Sequence, residues 1–346
     1  LLLYFFDNIN LNSILILYIS ITFICIILGL ISLYLNKYNI FKCLNIRWID
    51  LSIYTKNIFA FSYPLIVHAL VVFIVSISDR WMLQHFYGST EQGFFTLGFK
   101  LSSVIFLFSS ALIPLIARDF AIQFKDGLTD VIKCTIFRLI PLFFFFNCLF
   151  TVFVSINCES ICFFIGGDDY NDAKLVVSLM VLYSIHQTYG QIFGSLILAM
   201  EKTKFLRNSS LVFGLIGVVT SYVILSPNLL NLGANGLALK LLFIQFLLVN
   251  TYIFYISKYL KISYLIFFKH QIFVLAVLFV IGTFTHFAID VIDISIFFKL
   301  LASGFLYLIL CLITLYLFPK LFLLDTFYYN LTISYLSRFK SLNQST

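Results

Sequence analysis

The sequence predicts an all-α protein that crosses a membrane many times, and three observations lead to this. Of its 346 residues, 62% are hydrophobic and only 11% are charged, with a mean hydropathy of +1.05. Apolar runs close to the length that spans ~30 Å of hydrocarbon recur along the chain. Basic residues are concentrated in alternate connections between these runs. A water-soluble chain of this size needs far more charged surface, so the composition excludes a soluble globular protein.

Nine apolar stretches are long enough to be membrane spans. Inside a bilayer, backbone groups must be hydrogen-bonded within the segment, so each stretch is predicted to be a helix despite its Phe, Ile and Val content. The opening stretch 1–6 is too short to span and indicates the last turns of a helix that begins before this sequence. The predicted spans are 14–35, 58–78, 93–116, 139–157, 174–200, 208–226, 233–256, 271–289 and 294–318.

The distribution of Lys and Arg predicts the orientation. One set of alternate connections holds 17 of the 22 basic residues, and short basic loops remain cytoplasmic. This places residues 1–13 outside and the C-terminus inside a cytoplasmic (inner) membrane. If the intact protein begins in the cytoplasm, this outside start implies an odd number of further helices before Leu1, and five would make fourteen with the nine predicted spans. The net charge of +7 then reflects topology and anionic lipid, so no nucleic-acid partner is predicted.

Lysines inside the predicted spans are the first candidates for function. A charge at the centre of a membrane helix costs ~2.5 to 3.5 kcal/mol, so it usually faces protein or water. Lys100 and Lys240 lie roughly 10 Å inside the outer ends of their helices and are predicted to face a lumen. Lys174 and Lys299 lie nearer the boundary, where a lysine stem extends to the interface.

Two further groups of polar residues are candidates. Asp79 and Arg80 follow the second predicted span, where an exposed pair at the headgroups and a place at the mouth of a cavity are alternatives. His186, Gln187 and Gln191 form a polar stripe on the fifth span, and the two glutamines share a face. The stripe must face protein or water, so interhelical hydrogen bonds, at ~0.6 kcal/mol each, and a substrate path are both open.

No catalytic grouping is recognisable in the sequence. H-E-x-x-H, Walker A and G-x-S-x-G motifs are absent, and we predict no enzymatic activity, no cofactor and no metal site. The seven cysteines contain no C-x-x-C pair. Cys158 and Cys162 are candidates for a disulfide only if their connection is extracytoplasmic.

Three short motifs, in matching order and topology, carry a resemblance to a known family. They are 76–83 with its Asp-Arg pair followed by 93–100, 164–170 with Ala173, and 199–204 followed by 232–238. Together they resemble the Wzx-type polysaccharide flippases of the multidrug/oligosaccharidyl-lipid/polysaccharide (MOP) exporter superfamily. The resemblance covers residues 58–256.

The resemblance implies a MATE-like architecture of two six-helix lobes, with an N-terminally truncated first lobe. Residues 1–57 would end the first lobe, 58–256 would form the second, and 257–346 would add two helices and a cytoplasmic tail. It implies a transporter that flips an undecaprenyl-pyrophosphate-linked oligosaccharide, such as an O-antigen or capsule repeat unit, by alternating access with Na⁺ or H⁺ as a coupling ion. The expected cavity residues are Lys100, Lys240, Arg80, Asp79, His186, Gln187 and Gln191.

Other functions remain as alternatives. A multidrug exporter of the same superfamily would bind organic cations and would be expected to carry acids within its spans, where the predicted spans have none. A membrane polysaccharide polymerase or glycosyltransferase would need a large outer loop, whereas the predicted outer loops are short. A proton-pumping respiratory subunit would need facing Lys and Glu residues in mid-membrane.

Overall fold

A computed structural model describes residues 11–35, 48–292 and 294–323, and this part of the chain is helical, without strands. The predicted helix remnant at 1–6 and the tail beyond 323 lie outside the described residues. Helix α1 is Leu11–Leu35. The next helical run, Trp48–Lys125, is interrupted at Gly88, which separates α2 (48–87) from α3 (89–125). The remaining elements are α4 Thr129–Ile156, α5 Cys158–Gly166, a 3₁₀ segment Gly167–Ala173, α6 Lys174–Ala199, α7 Thr203–Leu225, α8 Gly233–Leu260, α9 Tyr264–Asp290, α10 Ile296–Leu317 and a 3₁₀ turn Pro319–Phe322.

The helices agree with a multi-pass membrane protein. Each predicted apolar stretch overlaps a helix, and among the described residues seven helices are long and apolar enough to cross a membrane. One of the seven, Ser52–Leu107, continues across Gly88, and α6 is not among them. The described part of the chain is therefore all-helical and polytopic, and the number of nine spans stays a prediction.

The second predicted span ends later than expected. A span ending at residue 78 was predicted, but α2 continues to residue 87. The turn comes at Gly88, whose φ of 79° is readily adopted by glycine and strained for other residues. Asp79 therefore lies about 13 Å before the turn, at 1.5 Å per residue, and not at the helix end.

Close packing around α6 organises the larger of two compact units. The units divide between residues 60 and 61, and the boundaries predicted at 57 and 256 from the resemblance stay predictions. In the larger unit α6 packs against α4 and α8, α4 also packs against α9, and α7 packs against α8. A Cβ at Gly98 of α3 would lie 2.8 Å from Cβ of Met180, so glycine lets α3 approach α6 closely.

Several of the predicted outer connections meet at one end of this unit. Glu91, just after the Gly88 turn, accepts a hydrogen bond from the backbone N–H of Ala234 at the start of α8. Ser89 and Thr90, beside the same turn, line a small pocket together with Asp169 and Tyr170 of the connection between α5 and α6. This agrees with spans that alternate in direction, and the side of the membrane on which this end lies stays a prediction.

Candidate functional site

A buried ion pair joins α2 to α8. Nζ of Lys240 lies 2.8 Å from Oδ2 and 3.0 Å from Oδ1 of Asp79. Ser221 of α7 donates a further hydrogen bond to Oδ1 of Asp79 at 2.6 Å. Asp79 and Lys240 are each only 3% exposed. Three helices therefore meet at one carboxylate, whose charge is compensated by an ammonium group and a hydroxyl.

Small residues on α7 make room for this pair. A Cβ at Gly217 would lie 3.5 Å from Nζ of Lys240, so a larger side chain there would crowd the ammonium group. One turn earlier, a Cβ at Gly214 would lie 2.5 Å from Cγ1 of Val71 on α2. Small residues at such positions let membrane helices approach closely. The Gly214–Gly217–Ser221 spacing places all three near one face of α7, against α2 and α8.

A second acid holds the first turn of α8. Oε2 of Glu91 lies 2.9 Å from the backbone nitrogen of Ala234. The first N–H groups of a helix lack intrahelical partners and carry its positive dipole end, so a carboxylate is favourable there. Asp79 and Glu91, on either side of the Gly88 turn, thus both attach the first half of α8 to the α2–α3 corner.

The ion pair borders a cavity of about 260 Å³ among α2, α3, α6, α7 and α8, which we call the central cavity. Most of its wall is Val, Leu, Ile and Phe, and Asp79 and Arg80 supply the charged lining. The guanidinium carbon of Arg80 lies 5.3 Å from the ring centroid of Phe99, a cation–π distance. Arg80 is exposed and forms no salt bridge within the described part of the chain.

The structure brings some of the predicted cavity residues together. Asp79 and Arg80 line the central cavity, and Lys240 reaches its wall through Asp79. Gln187 lies within hydrogen-bonding reach of Tyr183, which also lines the cavity. The substrate role of each of these residues stays a prediction.

Other predicted cavity residues lie away from the central cavity lining. His186 is buried, with its ring 5.1 Å from that of Phe246 in an edge-to-face contact. Gln191 is half-buried, and its Oε1 atom has no hydrogen-bond partner in the described part of the chain. His186 therefore takes part in the packing of α6 against α8.

Lys100 also lies outside the central cavity, on an exposed face of α3. Gly98 faces α6 and Phe99 faces the cavity. Successive helix residues are rotated by about 100°, so Lys100 is turned away from the wall that Phe99 forms. Neither Lys100 nor Lys240 lines this cavity itself, and only Lys240 is joined to its wall, through Asp79. Whether Lys100 contacts a substrate stays a prediction.

One expectation about charge is wrong. The predicted spans contained no acid, yet Asp79 is buried within the candidate span Ser52–Leu107. The error comes from placing the end of the second span at residue 78, which left Asp79 at the surface. Lys240 is paired with Asp79, and its role toward a substrate stays a prediction.

Most of the polar contacts of α6 use residues that the sequence analysis did not single out. Nδ2 of Asn147 on α4 donates to the carbonyl oxygen of Ser184 at 2.8 Å and to Oγ1 of Thr188 at 2.7 Å. The hydroxyls of Thr151 and Ser184 lie 2.9 Å apart. A seam of hydrogen bonds thus joins α4 to α6. The recurrence of Asn147, Thr151 and Ser155 every four residues was the available sequence signal.

A second cavity, of about 510 Å³, lies where α4, α5, α9 and α10 meet, and we call it the outer cavity. Lys299 lies 3.1 Å from Asp290, and Lys174 lies 3.6 Å from Glu159. That both lysines extend toward the membrane interface stays a prediction. His286 at the cavity wall has Nδ1 at 3.1 Å from Oδ1 of Asn157.

The two cysteines near the outer cavity are free thiols. Cys158 lines the cavity, and burial raises the pKa of its thiol above the ordinary value. Burial likewise raises the pKa of Cys162 to about 11. Both thiols are therefore protonated near neutral pH, and neither contributes a charge to the cavity.

No family model, curated protein or solved structure matches this chain. The resemblance to the Wzx-type flippases therefore rests on the three sequence motifs, and the function it implies is a proposal.

Proposed function

We propose that this chain is the translocating part of a multi-pass transporter that flips an undecaprenyl-pyrophosphate-linked oligosaccharide across the cytoplasmic membrane by alternating access. The observation that carries the proposal is the buried Asp79–Lys240 pair on the wall of a cavity that also presents Arg80. Ionisable residues deep in a membrane are costly and mark substrate or ion pathways.

The charges at the central cavity favour an anionic substrate. Asp79 and Lys240 neutralise each other, which leaves the charge of Arg80 uncompensated in the described part of the chain. A guanidinium group binds phosphate oxygens through two parallel hydrogen bonds, which an ammonium group cannot do. The ring of Phe99 lies at a cation–π distance from the guanidinium carbon. Arg80, not Lys100, is therefore the proposed first contact of the pyrophosphate group.

The ion pair supplies a means of coupling substrate to movement. Lys240 contributes to anion binding only when Asp79 releases it, since one ammonium group cannot fully compensate both the Asp79 carboxylate and the pyrophosphate. In the proposed cycle the pyrophosphate binds Arg80, competes with Asp79 for Lys240, and so loosens α2 from α8. An anion that binds the loosened state more tightly shifts the population toward it.

Transport in proteoliposomes tests the role of Arg80. We expect Arg80→Gln to lower flipping of a fluorescent undecaprenyl-pyrophosphate-linked oligosaccharide by about tenfold or more, equivalent to ~1.4 kcal/mol. Arg80→Lys should retain an intermediate rate, because it keeps the charge without the bidentate geometry. Arg118→Gln, an exposed arginine of α3, is the matched control. Normal flipping by Arg80→Gln, at equal reconstituted amounts, would rule out this role.

A multidrug exporter is a second candidate, because Asp79 provides the acid within a span that the sequence analysis did not find. The central cavity also has aromatic side chains from Phe95, Phe213 and Tyr183, which suit an organic cation. The same Arg80→Gln variant separates the candidates. Removing this positive charge should leave efflux of an organic cation such as ethidium unchanged or faster, while it slows movement of an anion.

A further inference from the structure

The outer cavity combines balanced charge with accessibility. Its charged lining consists of two lysines, Lys174 and Lys299, and two carboxylates, Glu159 and Asp290. The side chains of the carboxylates are 68% and 65% exposed, and those of the lysines 49% and 27%. Exposed pairs of this kind are worth about 0–1 kcal/mol, so an incoming ligand can exchange partners with them at little cost.

The rim of the outer cavity is apolar. Phe163 lines it, and Phe164 and Phe297 lie edge to face with ring centroids 5.8 Å apart. Phe163, Phe164 and Phe297 are 45%, 49% and 51% exposed. A polar cavity beside exposed aromatic side chains, at the ends of apolar helices, matches an amphiphile whose polar part lies at headgroup depth.

We propose that the outer cavity binds a zwitterionic phospholipid of the phosphatidylethanolamine type. The lipid phosphate contacts the two lysines and its ammonium group contacts the two carboxylates. The acyl chains lie along Phe164 and Phe297. Two positive and two negative side chains complement a headgroup that carries one charge of each sign, whereas an anionic headgroup would leave the site with one excess negative charge and no ammonium group beside the carboxylates. The volume of about 510 Å³ lies within the ~300–1,000 Å³ range of small-ligand sites.

This site is separate from the proposed transport route. No residue lines both the central cavity and the outer cavity. Lipid binding therefore does not require that the chain be a flippase, and the experiment below uses no oligosaccharide.

Binding of dihexanoyl phospholipids to the delipidated full chain, followed by native mass spectrometry, tests the proposal. We expect dihexanoyl-phosphatidylethanolamine to bind at least about fivefold more tightly than dihexanoyl-phosphatidylglycerol, equivalent to ~1 kcal/mol. Free phosphoethanolamine should bind at least about tenfold more weakly than the lipid, because it lacks the chain contacts. Equal binding of the two lipids would overturn the headgroup assignment, and equal binding of free phosphoethanolamine would overturn the lipid assignment.

Two double variants test the charge pattern. Lys174→Met/Lys299→Met should weaken the binding of both lipids by about tenfold, since the phosphate of each lipid needs the lysines as partners. Glu159→Gln/Asp290→Asn should invert the preference toward phosphatidylglycerol, because only the ammonium group loses its partners. Lys133→Met is the matched control, since Lys133 forms a similar exposed pair with Asp130 at 2.9 Å on the first turns of α4. An unchanged lipid preference in the carboxylate variant, at normal solubility, would disprove the proposed arrangement, since loss of packing alone does not reverse selectivity.

Discussion

The ion pair between α2 and α8 and the ion pair at the start of α10 have the same chemistry in different surroundings. In each, a lysine ammonium contacts an aspartate, at 2.8 Å for Lys240–Asp79 and 3.1 Å for Lys299–Asp290. The side chains of the first pair are 1% and 4% exposed, and those of the second 27% and 65%. Removing one partner of a buried pair typically costs ~3–5 kcal/mol, whereas an exposed pair contributes ~0–1 kcal/mol. Burial, more than distance, sets how much stability is lost when one partner of an ion pair is removed.

The buried pair is weak evidence for stability as such. Replacing a whole buried pair by apolar residues is often neutral or stabilising, because both desolvation costs disappear. Its presence beside the central cavity is therefore better explained by the proposed movement of a charged substrate than by helix packing. The exposed pair, by contrast, can open without disturbing the fold.

The largest expected effect comes from removing one charge of the buried pair. Asp79→Leu leaves the ammonium group of Lys240 buried without its partner, so we expect a loss of ~3–5 kcal/mol in the free energy of unfolding. The thermal midpoint and the monodisperse fraction in detergent measure this loss. Asp79→Leu/Lys240→Met should recover most of it. A double variant as unstable as the single one would show that packing, not charge, is responsible.

A smaller effect is expected from the hydroxyl group that completes the pair. Ser221→Ala removes a hydrogen bond to a charged carboxylate, which typically costs ~1.5–3 kcal/mol. Ser209→Ala on the same helix is the control, because its Oγ donates only to the carbonyl oxygen of Phe205 within α7. The midpoint of denaturation of the two variants can be compared directly. Equal values would mean that Ser221 adds nothing to the ion pair.

The carboxylate at the start of α8 should contribute less again. Glu91→Ala removes the partner of the Ala234 N–H and a negative charge at the positive end of the helix, for a loss of ~1 kcal/mol. Glu91→Gln keeps an acceptor and should lose only ~0.3–1 kcal/mol. Hydrogen exchange of the first turn of α8 should rise in Glu91→Ala. Unchanged exchange there would contradict the capping role.

The smallest effect is expected at the exposed pair. Lys299→Met should change the free energy of unfolding by no more than ~0–1 kcal/mol, because solvent already screens this charge. Lys133→Met should behave in the same way. Denaturation at low and high salt provides the measurement. If Lys299→Met lowered the free energy of unfolding as much as Asp79→Leu, the argument that burial separates the two ion pairs would be wrong.

Part of the site was predictable from the sequence. Lys240 was selected because charge in the hydrocarbon region is costly, and this argument needs no partner. Asp79 and Arg80 were selected as an adjacent pair at the end of the second predicted span and as part of the motif that carries the resemblance. The pairing itself was not predictable, since Asp79 and Lys240 lie 161 positions apart and no local pattern links them. That Lys100 lies outside the central cavity was not predictable either, because the helical rotation that faces Phe99 to this cavity depends on the packing of Gly98 against α6.

The sequence by itself determined that this chain forms apolar helices that cross a membrane, because in hydrocarbon the backbone must satisfy its hydrogen bonds within each segment. That constraint acts on every residue of a span and needs only composition and length. Which charges meet, which face of a helix lines a cavity and where a span ends were decided by tertiary structure. These depend on close contacts at Gly98, Gly214 and Gly217 and on the turn at Gly88, where the absence of a side chain has consequences only once the neighbouring helix is in place.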